Sequence, residues 1–307
     1  MEADNPVIAV FGPTAIGKTG IATELAKLLR ARGEDPVAIN CDSMQIYQGL
    51  ELISGAATAR EREQLEHRLL GFVPVNEEFT AGRFGERARE EIDLAIAAGR
   101  QPILVGGTGL YLRSALSDLD MRPPVDEALR AGVEAEIEQR GPEALHRELP
   151  LEVVERVHPN DRKRVARLTE LIRSGIDPAP DHKGGGELWT AKFRHPTVLA
   201  GLVEDDGDLV AKIRERVDAM ARAGAAAEAE AALQAGAVRT VRAAIGFDEF
   251  RSGDLERIVV LHRRYGRRQM TWMRRMEGVQ VIDRTGISNL EVAARILELA
   301  DVSRPGT

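Results

Sequence analysis

Cysteine is nearly missing from this 307-residue chain. Its one thiol, Cys41, excludes a disulfide framework within the chain. No metal-ligand or redox spacing surrounds Cys41, so it reads as a small buried residue rather than a nucleophile. No apolar run approaches the ~18 residues that a membrane-spanning helix needs. No basic-apolar leader precedes the first apolar segment. Internal repeats and exposed heptads are also lacking. The expectation is a cytoplasmic monomer without membrane association, built as one large or two medium domains. Its 43% apolar content suffices for a substantial core.

Net positive charge is lacking too: the formal charge is −7. The distribution is uneven, however. Residues 156–173 carry a net +4 through Arg156, Arg162, Lys163, Arg164, Arg167 and Arg173 against Asp161 and Glu170. Residues 257–275 carry +7 with no acid at all, leaving −18 for the remainder. Two such stretches in an acidic chain read as a footprint for a phosphate backbone rather than as two solvated helix faces.

The most informative segment is Gly12-Pro13-Thr14-Ala15-Ile16-Gly17-Lys18-Thr19, which fits the phosphate-loop pattern G-x-x-x-x-G-K-[ST]. The apolar run Val7–Phe11 before it predicts a buried strand. Ile21, Ala22, Leu25, Ala26, Leu28 and Leu29 follow at helical spacing until Gly33. Backbone N–H groups of such a loop, at a helix N-terminus, hold a polyphosphate. Lys18 is expected to neutralise the terminal phosphate and Thr19 to reach a magnesium ion.

A second short strand, 36–41, delivers Asp42-Ser43-Met44-Gln45-Ile46-Tyr47 to its carboxyl end, the end where ligands sit in an open parallel sheet. A third, 102–105, ends in Gly106-Gly107-Thr108-Gly109, where a nucleotide hydrolase would usually place an acidic metal ligand. Asp42 is thereby left free to act as a base.

Strands at 6–11, 36–41 and 102–105 alternate with helices at 18–32, 82–99 and 109–117, which predicts a parallel sheet flanked by helices. Between about 119 and 192 strand patterns vanish. Helices are expected at 126–139, 142–148, 151–157 and 161–174, with a flexible loop at Asp181–Gly186. A strand at 197–202 returns the chain to the sheet. Helices at 208–222, 224–235, 239–250, 254–276 and 289–300 follow, and a disordered tail at 301–307. The fold class is α/β: a P-loop NTPase-like parallel sheet flanked by helices, with a mainly helical insertion domain. The catalytic core takes residues 1–118 and 195–307, the insertion 119–194.

Seven segments, in order, resemble the signature motifs of tRNA dimethylallyltransferases. Three are the phosphate loop, Asp42–Tyr47 with Gly49-Leu50, and Gly106–Tyr111. His67-Arg68-Leu69-Leu70 and His158-Pro159-Asn160-Asp161 with Arg164 and Arg167 add two more. Ile245-Gly246-Phe247 and Arg267-Arg268-Gln269-Met270-Thr271-Trp272-Met273-Arg274 complete the set. The resemblance implies transfer of a dimethylallyl group from its diphosphate to the exocyclic 6-amino nitrogen of an adenosine. That adenosine lies 3′ of the anticodon in tRNAs reading U-initial codons; diphosphate is released and Mg2+ assists.

By the same carry-over Asp42 is the general base, Thr108 lies near the reacting amine, and Thr14 sits with the donor diphosphate. Arg216, in the helix Lys212-Ile213-Arg214-Glu215-Arg216, reaches the donor. The resemblance assigns tRNA contact to Asp42, Ser43, Met44 and Gln45, to Lys163, Arg164 and Arg167, and to Arg242, Gly246 and Phe247. It adds Arg267, Arg268, Gln269, Thr271, Trp272 and Arg274, and makes the insertion the reader of the anticodon stem-loop.

The chain departs from the pattern at Ile16, where a serine is usual, and at Ala243 and Asp248. It also lacks a lysine in Glu51–Thr58, so any phosphate contact from that segment is absent or supplied otherwise. Some residues have plainer readings. His67 and His158 cap or pack, His262 is a surface or RNA-facing side chain, and for Trp272 both core packing and base stacking stay open. Two other functions remain to be weighed. A P-loop kinase of a small metabolite would share Lys18 and Thr19 but not need two basic stretches. A non-catalytic RNA-binding protein would explain those stretches but not the loop with Asp42.

Overall fold

The computed structural model describes residues 5–119, 121–178 and 188–303. Eight strands occur among them: β1 (Val7–Phe11), β2 (Pro36–Asn40), β3 (Tyr47–Gln48), β4 (His67–Arg68), β5 (Val73–Pro74), β6 (Gln101–Gly106), β7 (Thr197–Val203) and β8 (Val279–Asp283). Six form one parallel sheet in the order β4-β2-β6-β1-β7-β8, while β3 and β5 pair separately. Every residue of β1, β2 and β6 is buried, as expected for continuous apolar runs covered by helices on both faces. The central register sets Phe11 of β1 beside Gly106 on one side and Gly201 on the other. A Cβ at Gly106 would lie 2.2 Å from the Cys41 carbonyl oxygen, so glycine lets the ends of β2 and β6 close together.

The chain divides into two compact units, Met1–Asp120 with Glu187–Thr307, and Met121–Gly186. The second holds helices Glu127–Arg140, Pro142–His146, Leu151–Val154 and Arg162–Arg173. Val133, Ile137, Leu145, Val165 and Ala166 form its own small core. Asp126 and Asp161 cap the two long helices, accepting from Leu129 and Arg164 N–H groups. The expected loop at Asp181–Gly186 lies outside the described residues.

Several expectations need correction. Strand β8 has no counterpart among the predicted strands. Only Ile282 of its five residues is buried, so no alternation marks it, and its pairing with β7 is what makes it a strand. The single helix expected over 239–250 is broken. Arg239–Arg242 and Phe247–Ser252 are separated by Gly246, whose φ of 98° starts the second helix. Asp301 and Val302, expected in a disordered tail, extend the last helix Asn289–Val302, and Asp301 pairs with Arg32 at 2.8 Å. Ser303 caps that helix, and 304–307 lie outside the described residues. Among the described residues no helix is long and apolar enough to cross a membrane.

Candidate active site

The carboxyl ends of β1, β2 and β6 deliver three turns to one crevice. From β1 comes the phosphate loop. Ala15 (φ 64°) and Gly17 (φ 89°) both take the left-handed conformation, which folds successive peptide groups into a concave nest. The helix Lys18–Ala31 starts immediately after it. In the free protein the Lys18 ammonium donates to the carbonyls of Gly12 (3.0 Å) and Pro13 (2.9 Å). Burial lowers its pKa to about 8, against the raising influence of Asp42 and with Arg216 lowering it further.

From β2 comes Asp42, whose carboxylate Oδ1 accepts the Met44 N–H at 2.9 Å, pinning the turn. From β6 comes Thr108, whose hydroxyl accepts the Ser43 N–H at 3.2 Å and lies 3.3 Å from the Tyr265 hydroxyl. The Asp42 and Thr108 turns are thus fastened to one another. A cavity of about 260 Å³ lies between the turns. Thr14, Ala15, Gly17, Lys18 and Thr19 of the loop line it, and Asp42, Gln45, Gly55, Glu61, Lys212, Arg216, Tyr265 and Gln269 are among its other lining residues.

Arg216 enters from the helix Asp206–Ala223. Its guanidinium donates to the Ser54 carbonyl at 3.2 Å and more weakly to that of Gly55 at 3.5 Å. A Cβ at Gly55 would come within 1.8 Å of it, so the lysine-free segment 51–58 is shaped to admit this arginine. A cation is therefore supplied to that segment from another helix. Burial lowers the Arg216 pKa from its ordinary value, with Asp42 and Glu61 opposing the shift.

The helix Leu255–Arg275 closes the crevice. His262, Gly266, Gln269 and Met273 recur at spacings of four, three and four on its buried face. Gln269 is the hinge of the arrangement: its Oε1 accepts the Thr14 N–H at 3.0 Å and its Nε2 donates to the Gly107 carbonyl at 2.8 Å. One buried amide thus ties the phosphate loop to the turn carrying Thr108. Expected at the RNA surface, Gln269 has both ends of its amide engaged inside the protein.

The other predicted contact residues divide. Met44 is partly buried against the core. Phe247 is fully buried and Gly246 is buried as well, so their motif serves packing; a Cβ at Gly246 would meet the Phe250 ring at 2.8 Å. Arg242, Arg267, Arg268, Thr271 and Arg274 are exposed, with Arg268 over the Tyr265 ring at 5.4 Å. Trp272 stacks obliquely on Trp189 at 4.7 Å and covers Gly109. In the inserted unit Lys163 and Arg164 are exposed, but Arg167 donates to the carbonyls of Arg122 (3.1 Å) and Pro123 (2.6 Å) and to Glu170 (3.3 Å).

His262, expected at the surface, is buried with neither ring nitrogen hydrogen-bonded among the described residues. Burial and the neighbouring Arg216 lower its pKa to about 4, so it is neutral. Cys41 is fully buried and burial pushes its thiol far up, in keeping with a packing role.

Tyr265 carries no motif of its own in the sequence, although it precedes Gln269 by four residues and so shares its helix face. Glu204 and Arg284, which meet behind the loop, have no local signal at all. No group of three or more His, Cys, Asp or Glu able to hold a metal occurs among the described residues.

A family model for IPP transferases matches residues 45–276. The tRNA dimethylallyltransferase of Acetivibrio thermocellus is 35% identical over 294 residues, covering 91% of each chain. That of Thermobifida fusca is 37% identical, covering 88% of this chain and 87% of the relative. Among solved structures, the tRNA isopentenylpyrophosphate transferase of Bacillus halodurans superposes with a TM-score of 0.68 at 28% identity, covering 97% of this chain and 98% of that one. The relatives and the solved structure cover nearly the whole chain, and the chain belongs to the tRNA dimethylallyltransferase family.

Proposed function

We propose that the chain transfers a dimethylallyl group from dimethylallyl diphosphate to the exocyclic 6-amino nitrogen of the adenosine 3′ of the anticodon, releasing diphosphate. One observation carries the assignment of roles: Lys18 and Asp42 line a single cavity at the carboxyl ends of β1 and β2, the parallel strands on either side of β6. The allylic C–O bond breaks toward the phosphate loop. There Lys18, the loop N–H groups and Arg216 take up the negative charge that develops on the leaving oxygens. An adenine amine is a weak nucleophile because its lone pair is delocalised, so it must be held close and its proton removed. Asp42 is the carboxylate placed to receive that proton as the N–C bond forms. Thr108, anchored by Ser43 and Tyr265, orients the amine.

A magnesium ion fits the donor set, since Thr19 lines the cavity and the diphosphate would itself supply most of the oxygens. Such an ion neutralises leaving-group charge. Exposed Lys163 and Arg164 support the reading of the inserted unit as the anticodon-arm binder; Arg267 and Arg274 are exposed cations able to contact phosphate. The enzyme works in the cytoplasm as a monomer. A metabolite kinase is disfavoured because it would not need the two basic stretches at 156–173 and 257–275. Incubating the protein with unmodified tRNA and either dimethylallyl diphosphate or ATP, followed by mass analysis of nucleosides, tests the reading. A prenylated adenosine formed only with the former is expected; phosphorylated product, or none, would refute it.

A further inference from the structure

The phosphate loop is held from behind by a residue that lies beyond both the loop and the span matched by the family model. Arg284 follows the edge strand β8, is buried, and donates through its Nη1 to the carbonyl of Ile16. A Cβ at Gly17 would lie 2.5 Å from that same nitrogen. Gly17 is thus required twice, for its positive φ and for the approach of the guanidinium. The peptide joining Ile16 to Gly17 is trans, so its C=O and N–H point in opposite directions. With the carbonyl turned to Arg284, the Gly17 N–H is turned the other way, to the side on which Gly17 lines the cavity. A cation on the carbonyl end of a peptide also polarises its N–H and strengthens it as a donor.

Arg284 does not stand alone. Its Nε lies 3.5 Å from Oε1 of Glu204, which follows β7 and has only 2% of its side chain exposed. The same oxygen pairs with the ammonium of Lys212, which also lines the cavity. The second carboxylate oxygen, Oε2, has no hydrogen-bond partner among the described residues. One buried acid therefore serves two cations, one behind the loop and one in the cavity wall.

We propose that Arg284 is a positioning residue of the diphosphate site, aiming and polarising the Gly17 N–H toward the donor's phosphates, with Glu204 as the counter-ion it shares with Lys212. The inference rests on the prenyl-transfer reading for the identity of the anion. Because Arg284 adds to the field at the anion and Glu204 subtracts from it, their replacements have opposite effects. Arg284→Met weakens binding of inorganic diphosphate about tenfold, the effect of removing one charge-assisted hydrogen bond. Arg284→Lys, which keeps the charge, restores most of it. Glu204→Gln, isosteric and without charge, tightens diphosphate binding roughly threefold by leaving Lys212 unneutralised.

The test is calorimetric titration of the full-length protein with inorganic diphosphate and magnesium, with thermal unfolding followed in parallel and tRNA affinity as the control. Opposite signs for the two variants, with tRNA affinity unchanged, are expected. Weakening by both in step with a fall in melting temperature would reduce the trio to a fold element and overturn the proposal, as would an unchanged dissociation constant in Arg284→Met. Should that variant fail to fold, the sign of the Glu204→Gln effect decides alone. A wild-type protein that binds tRNA but no diphosphate would instead sink the prenyl-transfer reading itself.

Discussion

Burial depresses the pKa of Lys18, and this couples donor binding to pH. A fall from 10.5 to about 8 disfavours the charged form by about 3 kcal/mol in the empty site. The diphosphate of the donor reverses this, because an anion beside the ammonium favours its charge. Donor binding is therefore coupled to proton uptake above pH 8. The donor's kcat/KM should fall about tenfold per pH unit from pH 8 upward, because kcat/KM follows the ionisation of the free enzyme. Lys18→Arg, which cannot deprotonate in this range, should abolish that limb whatever its absolute rate. Lys18→Ala should lose about 2.7–4 kcal/mol of transition-state stabilisation, roughly 10²–10³-fold, while tRNA affinity stays nearly intact.

The sign for stability is the reverse. A lysine whose folded pKa is lowered binds fewer protons folded than unfolded between about 8 and 10.5, so its charged form burdens the empty fold most below pH 8. Lys18→Met should therefore not lower the melting temperature at pH 7, although it removes two hydrogen bonds. Initial rates across pH 6.5–10 with saturating tRNA, beside melting curves, decide the matter. A profile flat through pH 9, or tRNA affinity collapsing together with turnover, would refute the reasoning.

Gln269→Glu can accept from Thr14 in either state but donates to the Gly107 carbonyl only when protonated, so kcat of this variant should fall as pH rises between 5 and 8, where the parent shows no such limb; a pH–rate series comparing the two checks it. Arg216→Ala should raise the donor's KM or lower kcat well beyond Arg214→Ala, because Arg214 faces away to an exposed partner, Glu256; equal kinetic losses would show that Arg216 has no donor contact. Arg164, with 63% of its side chain exposed, should on truncation reduce the slope of log K for tRNA against log salt by about 0.7 without altering the melting temperature. Arg167→Ala should instead destabilise the inserted unit by about 1 kcal/mol, because it removes the hydrogen bonds to the Arg122 and Pro123 carbonyls; urea unfolding measures it.

What was legible in the sequence was what is local. The phosphate loop, its strand and its helix occupy one continuous stretch, and their chemistry follows from neighbours a few residues apart. Asp42 and Thr108 could be placed because a parallel sheet presents the carboxyl ends of its strands on one side. The apolar runs of β1, β2 and β6 announced themselves because they are buried on both faces. Tertiary structure decided the rest. Whether Gln269 meets RNA or joins Thr14 to Gly107 depends on a partner 255 residues away, which no spacing encodes. The reach of Arg284 to Ile16 spans 268 residues and exists only because β8, unmarked by periodicity, pairs with β7 at the sheet edge. Arg164 and Arg167 look alike in sequence, three residues apart on one helix. Yet the backbone carbonyls of Arg122 and Pro123 claim one and leave the other to solvent. Spacing along a chain sets which side chains share a face, but only the packing of distant segments decides what that face meets.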